Sequence, residues 1–142
     1  MLPCTFGPAP RAVAAFGGTG AYVGKVKDDQ LGNVFSHDIR ASGVTFETAL
    51  AGEGPSTARS LILVTPDGER TINTYLGACV QLGPQDLDAD LIASAQVTYL
   101  EGYLWDPEAA KEAFREAAKI ARAAGRRPKG RRRAHRSASA SS

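Results

Sequence analysis

Two runs of β-forming residues flank a turn whose chemistry leaves the chain few options. Ser60-Leu61-Ile62-Leu63-Val64-Thr65 leads into Pro66-Asp67-Gly68-Glu69, and Arg70-Thr71-Ile72-Asn73-Thr74-Tyr75-Leu76 follows. Proline and aspartate preset the turn and glycine supplies positive φ, so the segment is predicted to be an antiparallel hairpin. The second strand alternates, with Ile72, Thr74 and Leu76 on one face and Thr71, Asn73 and Tyr75 on the other. One face is expected to be buried or to cover something, and the other to be wet.

The text around the hairpin is of another kind. Residues 21–26, Ala-Tyr-Val-Gly-Lys-Val, predict a strand after a Gly-Gly-Thr-Gly turn. Asp28 then offers an N-cap, Leu31, Val34, Phe35 and Ile39 recur at helical spacing, and Gly43 stands where a helix ends. His37 lies on the polar face of that helix with no His or Cys nearby, which predicts a solvated side chain. Beyond the hairpin, a polar link over 83–90 precedes Val97-Thr98-Tyr99-Leu100, a compact buried-strand signal that runs into Glu101-Gly102-Tyr103. Asp106 and Pro107 read as N-cap and first-turn residue of a helix over 107–124. Its stripe is Ala110, Ala113, Phe114, Ala117, Ala118, Ala121 and Ala124, and Gly125 ends it. At 1.5 Å per residue this helix spans about 27 Å, enough to cover a sheet face. Strand, helix, hairpin, strand, helix is the order of an α/β fold: a parallel layer with an antiparallel flap inserted.

Charge is divided unevenly along the 142 residues. Arg126, Arg127, Lys129, Arg131, Arg132, Arg133 and Arg136 face no acid within 126–142. Removing these seven from the 17 basic residues leaves 10 against 15 acids, so residues 1–125 carry net −5 and the pI of 8.7 does not describe the body. The chain fits one domain of ordinary size, about 100–150 residues. No run is apolar for the ~20 residues that would span a bilayer. Residues 1–10 have neither a basic start nor an apolar run, against a secretory signal. Cys4 and Cys79 are far apart with no second ligand at metal spacing, which points to thiols in a reducing compartment and a cytoplasmic protein.

The glycine-rich stretch Gly17-Gly18-Thr19-Gly20-Ala21-Tyr22-Val23-Gly24-Lys25 fails as a phosphate loop, which would need glycine at 19 and a hydroxyl at 26, where Thr19 and Val26 stand. It fails as a dinucleotide fingerprint because Val23 holds the third glycine's place. These glycines also precede their strand, whereas both motifs follow one. Glu101 carries more information. A carboxylate at the C-terminal end of an apolar strand lies where open α/β sheets bind ligands, or else is an exposed loop acid.

Gly24-Lys25-Val26-x-Asp28-Asp29-x-Leu31-Gly32, followed by Gly43-Val44, resembles the early part of a ribokinase-type (PfkB) carbohydrate and nucleoside kinase. Thr57 leading into residues 61–71, the ending Asn73-Thr74-Tyr75-Leu76-Gly77-Ala78, and Tyr99-Leu100-Glu101-Gly102-Tyr103 resemble it in the same order. The likeness covers 12–125, and the threonine-led lid strands are most similar to the adenosine-kinase-like branch. It implies a partial ribokinase-like fold with the hairpin, about 57–77, as a lid over the sugar. It implies ATP- and Mg-dependent phosphoryl transfer to a sugar hydroxymethyl group, with Glu101, Ile72 and Thr74 as substrate-binding residues. The sequence departs from the family pattern in lacking the Gly-Ala-Gly-Asp run that carries the catalytic aspartate and the Asn-x-x-Glu run tied to metal and phosphate. No catalytic residue and no metal ligand is therefore assigned, and the chain is expected to be an inactive fragment.

Where the family would continue into a buried strand, residues 126–142 turn basic and serine-rich. One base removed from GC-rich codons converts Lys-Gly-Arg-Arg-Arg-Ala into Lys-Val-Ala-Ala-Ala-Leu, so this stretch is expected to be a disordered, out-of-frame tail. The alternative reading is a small non-catalytic α/β binding module with a basic nucleic-acid-binding arm. No basic or aromatic face on the body supports that arm, which disfavours nucleic acid as a partner. A sugar or nucleoside, and self-association through exposed sheet edges or the lid, are the expected contacts; a membrane is not.

Overall fold

The computed structural model describes residues 8–131. Helix α1 (Pro8–Ala15) leads into β1 (Gly20–Ala21), which pairs in parallel with β2 (Val44–Thr45) in the register Gly20↔Val44. The pairing lapses after Tyr22 N–H donates to the Thr45 carbonyl at 2.9 Å, and resumes at a parallel bridge between Lys27 and Ala51. The strand predicted over 21–26 is thus a two-residue ladder with an extended continuation. Helix α2 (Gln30–Ala41) connects the two, completing a β-α-β unit. Asp29, not Asp28, is its N-cap, accepting from Gly32 N–H at 2.8 Å. The helix ends as predicted, with Gly43 at φ +79° and its N–H bonded to the Arg40 carbonyl. Its buried stripe is Gly32, Phe35, Ser36 and Ile39, while Leu31 and Val34 are exposed. Phe35 and Ile39 pack with Val26, Val44 and Phe46, and the rings of Tyr22, Phe35 and Phe46 lie 5.6–5.8 Å apart.

The hairpin forms where it was predicted. Strands β3 (Arg59–Val64) and β4 (Arg70–Tyr75) pair antiparallel, Arg59↔Tyr75 through Val64↔Arg70. In the turn Gly68 adopts φ +86°, and the Thr65 hydroxyl donates to the Asp67 carboxylate. The expectation of one buried face is not met. Leu61, Leu63 and Tyr75 are exposed on one side, and Ile62, Val64 and Ile72 on the other. Alternation placed the residues correctly, but burial needs a second layer, and among the described residues none lies on either face.

The link expected over 83–90 is partly helical. A 3₁₀ turn at Gly77–Gln81 and another at Pro84–Asp86 precede α3 (Ala89–Ser94), capped by Asp88 through Leu91 N–H at 2.9 Å. Strand β5 (Tyr99–Glu101), helix α4 (Glu108–Ala123) and strand β6 (Lys129–Arg131) then form a second β-α-β unit, with Leu100 opposite Gly130 in a parallel pair. Pro107 rather than Asp106 is the N-cap of α4. Ala110, Ala113, Ala117, Ala118 and Ala121 are buried as predicted, whereas Ala124 is exposed. Alanine brings neighbouring backbone close: Ile92 of α3 sits on Ala117 and Ala121, and Cys79, Leu82 and Leu104 sit on Ala110.

Two expectations at this end differ from the structure. Lys129–Arg131, inside the segment expected as a disordered tail from 126, pairs as β6, and Lys129 N–H donates to the Thr98 carbonyl at 2.8 Å. Two flexible basic side chains do not prevent a ladder made by backbone groups. The rest of that segment, 132–142, lies outside the described residues, as do residues 1–7. The strand expected to be buried throughout leaves Val97 and Tyr99 exposed, while Leu104, just beyond it, is buried. Trp105 is half-exposed, lying against Phe114 at 5.9 Å between ring centroids. The described residues form an α/β fold: two parallel β-α-β units with an antiparallel hairpin between them in sequence.

Candidate functional site

Ile72 and Thr74 come together because the register places them there. Ile72 is opposite Ile62 and Thr74 opposite Ser60, all four on one face of the hairpin. The Ser60 and Thr74 hydroxyls are hydrogen-bonded at 2.9 Å, so each fixes the other's rotamer. Ile72 is 58% exposed, an apolar surface beside that hydroxyl pair. Glu101 ends β5 and is half-buried and partnered, with the chain turning through a 3₁₀ segment at Gly102–Leu104 immediately after it. The predicted position at a strand end is therefore met. Among the described residues no extensive packing joins the hairpin to β5, so the three predicted residues form two separate groups.

At the hairpin's root lies a cluster that the sequence reading did not assign. Thr57 is 4% exposed. Its N–H donates to Asp29 Oδ2 at 2.9 Å, its hydroxyl donates to Asp29 Oδ1 at 2.7 Å, and that hydroxyl accepts from Lys27 N–H at 3.0 Å. Burial pushes the Asp29 carboxyl up, but the bonds from Thr57 and from Gly32 N–H, with Lys27 nearby, outweigh it and hold the group below its ordinary value. The resemblance had singled out both Asp29 and Thr57, yet only the fold shows that they touch.

A second cluster was invisible in sequence. Lys25 Nζ is paired with Asp86 Oδ1, and Asp86 Oδ2 accepts from Gly83 N–H at 2.9 Å. It ties the extended continuation of β1 to the 3₁₀ turn before α3, across 61 positions in sequence. Asp86 also borders a cleft of about 250 Å³ with Tyr22, Glu47, Asp88 and Leu91. A wider one of about 440 Å³ lies between Asn33, His37, Arg40 and Leu50. Neither is lined by Glu101, Ile72 or Thr74. His37 is solvated as predicted, its ring 3.2 Å from Asp38. Cys79 is a buried thiol bonded to the Leu76 carbonyl at 2.8 Å. Among the described residues no three His, Cys, Asp or Glu side chains could share a metal ion, and no helix is long and apolar enough to cross a membrane.

Comparison with known proteins follows this geometry closely. An adenosine kinase structure from Sinorhizobium meliloti superposes with a TM-score of 0.83 at 59% identity, over 87% of this chain and 38% of that one. A probable sugar kinase from Rhizobium etli CFN 42 gives 0.83 and 56% over the same shares of 87% and 38%. Fructokinase-2 of Solanum lycopersicum is 33% identical over 116 residues, 80% of this chain and 35% of the relative. The chain thus spans little more than a third of the length of the proteins it matches. The sequence pattern of the pfkB family carbohydrate kinases matches residues 9–138, into the basic segment and past β6. The chain belongs to the pfkB family of carbohydrate kinases.

Proposed function

We propose that this chain is the sugar-facing part of an ATP-dependent sugar or nucleoside kinase, with the hairpin as substrate lid and Glu101, Ile72 and Thr74 as substrate-binding residues. The observation that carries this reading is the 59% identity to an adenosine kinase over a stretch that includes the hairpin and the end of β5. Each residue suits its role chemically. A carboxylate at Glu101 accepts hydrogen bonds from sugar hydroxyls, and charge-assisted bonds of that kind are short and strong. Ile72 offers an apolar cover and Thr74 a hydroxyl, the usual mixture in a small-ligand site.

ATP and Mg²⁺ belong to the chemistry of the family, and the residues in hand do not fit them. The sequence has no Gly-Ala-Gly-Asp run and no Asn-x-x-Glu run, the two that carry them in the family pattern. The 142 residues are accordingly expected to bind substrate weakly and not to turn it over. Titration of the purified chain with adenosine, ribose and fructose, followed by NMR, tests the binding reading. Selective shifts at Ile72, Thr74 and Glu101 that vanish in Glu101→Gln support it, and no shift with any of the three overturns it. ATP-dependent phosphorylation of any of them by the purified chain would overturn the inactivity.

The hairpin favours one further contact. Leu61, Leu63 and Tyr75 form an exposed apolar face on the side away from Ile72 and Thr74. Self-association through this face removes it from water. Sedimentation at rising concentration should show a dimer that Leu61→Lys with Leu63→Lys abolishes; a monomer throughout would exclude it.

A further inference from the structure

The hairpin joins the body through two legs that meet at one place. The entering leg carries Ser56 and Thr57, and the leaving leg Gly77 and Ala78; Ala78 N–H donates to the Ser56 carbonyl at 2.9 Å. Gly77 adopts φ +52°, and a Cβ there would stand 2.0 Å from the Ser56 oxygen, so only glycine lets the legs approach this closely. Beside the crossing, Asp29 spends one bond on capping α2 and two on Thr57. Capping alone needs one acceptor, which serine or asparagine supplies as well. The second carboxylate oxygen and the buried Thr57 hydroxyl serve the hairpin instead. Beyond this collar the hairpin has no extensive packing on another element among the described residues, so its direction is fixed here.

We propose that Asp29 and Thr57 are positioning residues for the lid: their bonds at the crossing of the two legs set the angle at which the hairpin leaves the body, and with it the place where Ile72 and Thr74 are held. The proposal rests on the reading of the hairpin as a substrate lid. The Asp29 carboxylate joins the start of α2 to the entering leg, and the Thr57 hydroxyl joins that leg to Lys27 N–H, so the lid is referred to the β-α-β unit and not to β5. Thr57 contributes by its hydroxyl, which valine lacks at nearly the same shape and serine retains.

Residual dipolar couplings of backbone amides, measured on the full 142-residue chain without ligand, report the orientation of the hairpin relative to α4. In the parent chain the amides of 59–64 and 70–75 should fit the same alignment as those of 108–123. In Thr57→Val the hairpin couplings should shrink while those of α4 are kept, and Thr57→Ser should restore them. Hairpin couplings unchanged in Thr57→Val would overturn the proposal, as would a loss shared equally by α4, which marks a role in stability alone. Should Thr57→Val not fold, Asp29→Asn gives the same reading, because its amide oxygen still caps α2 while the second charged acceptor is gone. The couplings are read without substrate, so failure of the sugar titration leaves this outcome intact, and failure of the collar leaves the titration intact.

Discussion

Asp29 is pulled in two directions, and the balance can be read against pH. Burial raises its pKa; the Thr57 and Gly32 bonds lower it further than burial raises it. A carboxylate depressed in the folded state contributes stability above its ordinary value of 3.8 and loses it as pH falls through the lower folded value. The parent should therefore exceed Asp29→Asn in urea midpoint at pH 6, and the gap should close as pH drops below 3.8 toward 2. A gap that stayed constant would mean that the charge contributes nothing. The sequence reading put the helix cap at Asp28, and the structure puts it one residue on, at Asp29. Thr57, 28 positions away, makes the choice by donating its N–H and its hydroxyl to Asp29. Ile72 and Thr74 were placed on one face correctly because alternation is local, whereas nothing local said that Ser60 would take up the Thr74 hydroxyl.

The elements divide by the range of what specifies them. The hairpin turn was legible because proline, aspartate and glycine act within four residues, and Gly68 is its clearest test. At φ +86° with open space around its Cβ position, Gly68→Ala meets strain and no clash. The expected cost is about 1 kcal/mol, confined to the hairpin. Amide exchange should quicken in 59–64 and 70–75 while α4 keeps its protection. The alanine stripe of α4 was equally legible, being a property of one helix. Strand β6 was not, because Lys-Gly-Arg has no strand signature and pairs only through its backbone. Lys129→Pro removes the donor to the Thr98 carbonyl and should lower the unfolding free energy by about 1–2 kcal/mol, the cost of an interrupted ladder, and with it the urea midpoint. An unchanged midpoint would show that β6 adds nothing to stability. The two short turns between 77 and 86 escaped the sequence reading for a related reason: 3₁₀ segments bury too few side chains to leave a periodic pattern.

At the scale of the molecule, the three small sheets of the described residues share no ladder, so cohesion comes from side chains between the units. Val23, from the first unit, reaches the cluster built on Cys79, Leu82 and Ala110, and the Lys25–Asp86 pair reinforces that junction. Asp86 is nearly buried and Lys25 mostly so, so Asp86→Asn should cost about 1–3 kcal/mol, less than a fully buried pair because Lys25 still meets water. Differential scanning calorimetry should show the transition of Asp86→Asn broader than that of the parent, or split, as the units uncouple; an unchanged trace would place the coupling elsewhere. The family was legible from ordered fragments of sequence, since many weak matches in the right order constrain more than one motif. What covers the hairpin was not, because no residue within it names its partner.

The crossing of the two hairpin legs also has a mechanical consequence. Six-residue strands extend about 20 Å from root to tip, so the hairpin is a lever whose fulcrum is Thr57 and Gly77. A tilt of about 10° at that fulcrum displaces the Asp67–Gly68 tip by about 3.5 Å over such an arm, the difference between a hydrogen bond made and one lost. A change of a few tenths of an ångström at Asp29 is thereby magnified at the far end, where it would take distance-sensitive labels on the turn, and not on the body, to see it.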